Sequence, residues 1–136
     1  MVIGAAGRPT RLLQRWSLLV GLLALGAAPS VAQAHAALVR AVPPARAIVR
    51  VPPRQAQLWF SETLEPSYST MWVWTDHTQV NTEKAAVAAE NRRLLSVALP
   101  PLGRGAYVVK YRVLSIDGHV VEGRYSFTVG DGASRK

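Results

Sequence analysis

Three histidines, His35, His77 and His119, are the only imidazoles in this chain of 136 residues, and cysteine is absent. A metal ion held here must take nitrogen, oxygen or thioether ligands. Cysteine-ligated zinc, iron–sulfur clusters, CxxC redox centres and disulfide scaffolds are excluded. Asp117-Gly118-His119 is the densest set of donors. Residues i and i+2 of an extended chain project the same way, and a glycine between them lets both turn toward one point. The same residues also read as a D-G hairpin turn followed by a half-exposed histidine. Glu62 closes the run Leu58-Trp59-Phe60-Ser61. It reads either as a carboxylate near a site or as a solvated strand-end acid. His77 follows Asp76 in a polar stretch and reads as an exposed loop histidine.

The chemistry of His35 depends on processing. Residues 1–15 carry Arg8, Arg11 and Arg15 and no acid, and 16–28 (WSLLVGLLALGAA) are uncharged and apolar. Ala32-Gln33-Ala34 then supplies an A-x-A site, so residues 1–34 read as a secretory signal peptide. The apolar run has 13 residues, well short of the roughly 20 that cross a bilayer. Cleavage after Ala34 makes His35 the first residue, with a free α-amine. That amine and its own Nδ1 can chelate one ion. The amine titrates near 8 in free peptides, so a metal displaces its proton readily. Such a pair suits Cu(II) in a tetragonal field of nitrogen and oxygen. Signal cleavage always exposes some residue, however, and a histidine there is also compatible with no site.

These donors need a scaffold, and alternation supplies it. Val121, Tyr125, Phe127 and Val129 alternate with Glu122, Arg124, Ser126 and Thr128, and Tyr107, Val109, Tyr111 and Val113 alternate with Val108, Lys110 and Arg112. Both read as strands with one buried face. Leu95, Val97 and Leu99 mark a third strand, and Leu58 and Phe60 a fourth. Residues 70–75 (TMWVWT) make a fifth, and shorter strands are expected at 36–41 and 47–51. Trp72 and Trp74 share one side of 70–75, Met71 and Val73 the other; core packing with one partly exposed ring is expected. Residues 83–91 read as a loop with a short helix. Short strands separated by turn signals predict a two-sheet sandwich or small barrel.

The formal charge of +8 shrinks once the signal peptide is set aside. Residues 35–136 hold 13 basic and 8 acidic side chains, a charge of +5. Arg40, Arg46, Arg50 and Arg54 form a basic stretch without a nucleic-acid motif, and nucleic acid is not expected as a partner. Anionic lipid heads or an acidic partner fit that charge better. The expected product is a soluble, exported, periplasmic or extracellular monomer with a short disordered tail at 131–136.

In combination, these residues resemble the CopC-type periplasmic copper-binding family. The resemblance rests on a mature N-terminal His35 and the strand Leu58-Trp59-Phe60-Ser61-Glu62-Thr63-Leu64. It continues through Gly105-Ala106-Tyr107, Tyr111-Arg112-Val113-Leu114-Ser115-Ile116-Asp117-Gly118-His119, Gly123 and Phe127-Thr128-Val129. It implies an all-β, seven-stranded Greek-key sandwich or barrel over 35–130, immunoglobulin-like or cupredoxin-like. It also implies one Cu(II) per mature chain, held by the amine and imidazole of His35, Asp117 and His119, with Glu62 as ligand or neighbour. A role in copper homeostasis or resistance is implied, beside a CopD-like membrane copper transporter. The Met-rich Cu(I) site of some members is not expected, because Met71 is the sole methionine after Met1. No enzymatic activity is expected. The competing readings are a copper-dependent oxidative enzyme with an N-terminal histidine and a metal-free immunoglobulin-like module.

Overall fold

The computed structural model describes residues 36–131. The expected signal peptide, His35 and residues 132–136 lie outside the described residues. The chain divides into two units, Met1–Gln33 and Ala34–Lys136, and the second holds every described residue.

Among the described residues nine strands form: β1 (Leu38–Val42), β2 (Ile48–Val49), β3 (Gln55–Phe60), β4 (Thr70–Thr75), β5 (Thr78–Gln79), β6 (Ala86–Val87), β7 (Leu94–Ala98), β8 (Gly105–Leu114) and β9 (Val120–Val129). They make two open sheets, ordered β1-β3-β7-β6 and β2-β9-β8-β4-β5. The architecture is therefore the expected sandwich, and the barrel alternative fails because neither sheet closes. Strand parity decides what lies between the sheets. Leu58, Phe60, Leu95 and Val97 face inward from one sheet, and Met71, Val73, Tyr107, Val109, Val113, Phe127 and Val129 from the other. Phe127 stacks on Tyr107 at 5.4 Å between ring centroids, and the Tyr107 hydroxyl donates to the Gly103 carbonyl.

Three expectations need correction. The count of seven omits β5 and β6, each two residues long and too short to show a period. β5 is the return arm of a hairpin whose turn holds Asp76 at φ 48° and His77. The helix expected within 83–91 does not form. Val87 pairs with Leu95 and Ala86 with Ser96, and sheet pairing prevails over a single helical turn, which is marginal in isolation. Trp72 and Trp74 are not core residues. The register Met71↔Tyr111 and Val73↔Val109 turns Met71 and Val73 inward, so Trp72 and Trp74 both lie half-exposed on the outer face.

The longest hairpin positions the chemistry. β8 and β9 pair without interruption from Gly105↔Val129 to Leu114↔Val120. The five residues Ser115–His119 connect them.

Candidate metal centre

The connection closes on itself through the backbone. Gly118 N–H donates to the Ser115 carbonyl at 2.9 Å, and Ser115 N–H to the His119 carbonyl at 3.0 Å. Gly118 holds φ 90°, a conformation that a side chain would strain. Ser115 is the buried anchor, 1% exposed. Its hydroxyl donates to Asp117 Oδ1 through a short hydrogen bond, and His119 N–H donates to the same oxygen at 3.3 Å. Asp117 Oδ2 lies 3.0 Å from His119 Nδ1. The side chains of Asp117 and His119 remain 39% and 48% exposed, so both are open to an ion from solvent.

These hydrogen bonds favour the charged carboxylate. The Ser115 hydroxyl, followed by the His119 imidazole, holds Asp117 at a pKa of about 2, below its ordinary 3.8. Asp117 is therefore an anion throughout the neutral and mildly acidic range. Because its pKa is lowered, the favourable contacts persist above the ordinary value and are lost only as pH falls through about 2. In Ser115→Ala, the Asp117 carboxyl should titrate upward, back toward 3.8. Carbon-13 NMR of the side-chain carboxyl reads this directly, and an unchanged midpoint would remove Ser115 as the cause.

A second segment, residues 61–65, runs beside this loop. Ile116 N–H donates to the Thr63 carbonyl at 3.0 Å, and Glu65 N–H to the Leu114 carbonyl at 2.8 Å. The same segment ties down the start of the described chain. Ser61 N–H donates to the Ala37 carbonyl at 2.9 Å, and the Ser61 hydroxyl accepts from Ala37 N–H at 2.9 Å. Ala36, next in sequence after His35, is fully buried. Five residues thus contact both the end of the chain that follows His35 and the loop that carries Asp117 and His119.

The candidate donors are distributed unevenly. Asp117 and His119 come together as a pair. Glu62 is half-buried just past the end of β3. Among the described residues no three histidine, aspartate or glutamate side chains gather around one point, so Glu62 is not drawn into a cluster with that pair. His77 sits exposed in the β4–β5 turn. The register Thr70↔Arg112 and Trp74↔Val108 puts that turn at the far end of the sheet from Asp117. The local roles of Ser115 and Ser61 were not anticipated. The Ser-x-Asp spacing carries a signal for the first, since i and i+2 share a side; nothing local signals the second. Among the described residues no helix is long and apolar enough to cross a membrane.

The CopC domain family model matches residues 38–130. Copper resistance protein C of Escherichia coli is 34% identical over 121 residues, which cover 83% of this chain and 94% of that protein. Copper transport protein CutJ of Bacillus subtilis (strain 168) is 28% identical over 118 residues, 85% of this chain. The match spans only 22% of CutJ's length. Among solved structures, CopC from Methylosinus trichosporium OB3b is 40% identical with a TM-score of 0.67, covering 75% of this chain and all of that one. PcoC from Escherichia coli, described as a methionine-rich copper resistance protein, is 32% identical with a TM-score of 0.62 over 71% of this chain and all of that one.

Proposed function

The chain belongs to the CopC domain family, and from that premise we propose that its exported form binds one Cu(II) ion through the α-amine and imidazole of His35 together with Asp117 and His119. The observation that carries the proposal is the 3.0 Å separation of Asp117 Oδ2 and His119 Nδ1. Two donors about 2.0 Å from one ion and at right angles stand about 2.8 Å apart. The pair therefore needs little movement to occupy neighbouring corners of a tetragonal site, with the ion replacing the proton between them. Residues 61–65 support the remaining corners, because they hold the chain just after His35 beside the same loop. Glu62, in that segment, serves as an additional oxygen ligand or as a hydrogen-bonding neighbour.

The ligand chemistry favours the oxidised ion. With Met71 buried between the sheets and no cysteine, the site offers no sulfur for Cu(I). In this respect the chain differs from the methionine-rich PcoC. The function that follows is capture and buffering of copper outside the cytoplasm, with transfer to a membrane transport partner. With Asp117 as a ligand, its carboxylate would take up a coordination position that oxygen activation needs open, so a carrier role is favoured over an oxidative enzyme.

Titration of the processed protein with Cu(II) should give one equivalent with an electron paramagnetic resonance signal of nitrogen-ligated, tetragonal type. Affinity should fall as pH drops below about 6, because free imidazole takes up a proton near 6.5 and the α-amine near 8. Asp117, already ionised far below this range, contributes nothing to that loss. The proposal would be falsified if protein shown by mass analysis to begin at His35 gave no such signal.

A further inference from the structure

Charge is distributed unequally between the two sheets. The strands of the four-stranded sheet contain one charged residue, Arg40, whose guanidinium lies over the Trp59 ring at 4.7 Å. The strands of the five-stranded sheet contain four, Lys110, Arg112, Glu122 and Arg124, all exposed. Register gathers them. Trp72, Lys110 and Arg124 form one row across β4, β8 and β9, and Thr70, Arg112 and Glu122 form the next. Arg112 Nε pairs with Glu122 Oε1 at 2.9 Å. Lys110 Nζ rests 5.0 Å from the Trp74 ring centroid. Arg124 has no ion-pair partner among the described residues. A shallow cleft of about 430 Å³ opens between these side chains, with Trp72 along one side.

We infer that this outer face is a docking surface for a carboxylate-rich segment of another protein. Charge complementarity carries the inference: three cations face one acid, and that acid is already paired. Arg124 offers its guanidinium fork to an incoming carboxylate, and Lys110, held in place by Trp74, adds a second donor across the row. Trp72 gives the same cleft an apolar wall for the stem of a Glu or Asp side chain. A bilayer suits the face less well. Trp72 and Trp74 are only half-exposed, and Lys110 Nζ lies over the Trp74 ring that a headgroup layer would need free. The location gives the surface a use. Arg112 precedes Ser115 by three residues, about 10 Å along a strand, so a partner seated here lies beside the loop of Asp117 and His119.

The probe is a fluorescein-labelled hexaglutamate peptide, followed by fluorescence anisotropy with the exported protein. Binding should weaken with added salt, and nitrogen-15 NMR should show shifts confined to the Trp72 indole and the amides around Lys110, Arg112 and Arg124. K110E/R124E should lower affinity at least about tenfold while leaving Cu(II) binding unchanged. K110Q/R124Q should give a smaller loss in the same direction, which keeps the test usable if charge reversal disturbs folding. R50E/R54E removes the same charge from exposed loop positions and should change little. Absence of peptide binding, an equal loss in R50E/R54E, or shifts scattered over other basic residues would each overturn the inference. So would tighter capture by phosphatidylglycerol vesicles than by the peptide through these same residues, which would assign the face to membranes.

Discussion

A single extra residue ahead of His35 should lower Cu(II) affinity by on the order of 100-fold or more. Groups that merely orient a ligand are typically worth 10- to 100-fold in metal affinity, and this change alters a group proposed to bind the ion directly. An added residue converts the α-amine of His35 into an amide, which no longer ligates as an amine, and the chelate ring is lost with it. The fold should be little affected, because among the described residues the added residue is remote from the pairing of Ala37 with Ser61 and from the core that buries Ala36. Thermal unfolding of the extended protein should therefore match that of the processed protein in the absence of metal. His119→Ala should produce a comparable loss by removing one of the paired donors. Glu62→Gln should cost no more than about tenfold, in keeping with a neighbour's role. Competition titrations against a Cu(II) chelator separate these three outcomes. Retained tight binding in the extended protein would show that the amine is not a ligand, whatever His119→Ala does.

The long strands were legible because their period survives over many residues. In β8 and β9 the inward and outward sets alternate through ten positions each, and the buried members are those the pattern selects. The segment Thr70–Thr75 was legible as a strand, but its facing was not. TMWVWT offers apolar side chains on both sides, and only pairing with β8 decides that Met71 and Val73 go in. β5 and β6 have no period to read at two residues each. The site shows the same division. Asp117 and His119 are two apart, and their approach follows from spacing around Gly118. That Ser61 holds Ala37, 24 residues earlier, is a product of topology that no local pattern encodes. The proposal of Cu(II) rests on ligand chemistry and family resemblance together, since the D-G-H stretch alone also reads as a turn.

Gly123→Val should destabilise the domain by about 1–3 kcal/mol, toward the upper end of what overpacking costs. The reason is the residue across the ladder. Tyr111 pairs with Gly123 and lays its phenol over the glycine, so a Cβ there would collide with the hydroxyl and with ring carbons. The ring has little freedom to withdraw. It also meets Phe60 in a T-shaped contact, with centroids 5.4 Å apart and planes at 71°, and Phe60 belongs to the buried core. A loss of this size corresponds to roughly 4–8 °C in melting temperature per kcal/mol for a domain near 100 residues. Gly103→Ala is the matched control, because a Cβ at Gly103 meets nothing within 4 Å, and it should stay within about 0.5 kcal/mol of the parent. The decisive comparison is a cycle with Tyr111→Ala. If the phenol is the obstacle, valine at 123 should cost much less once the ring is gone, with a coupling of about 0.5–3 kcal/mol. Additive losses would mean that position 123 needs glycine for its backbone alone. Because Phe60 leads directly into Ser61 and Glu62, the same collision should also weaken copper binding modestly, through displacement of the segment that runs beside the Asp117–His119 loop.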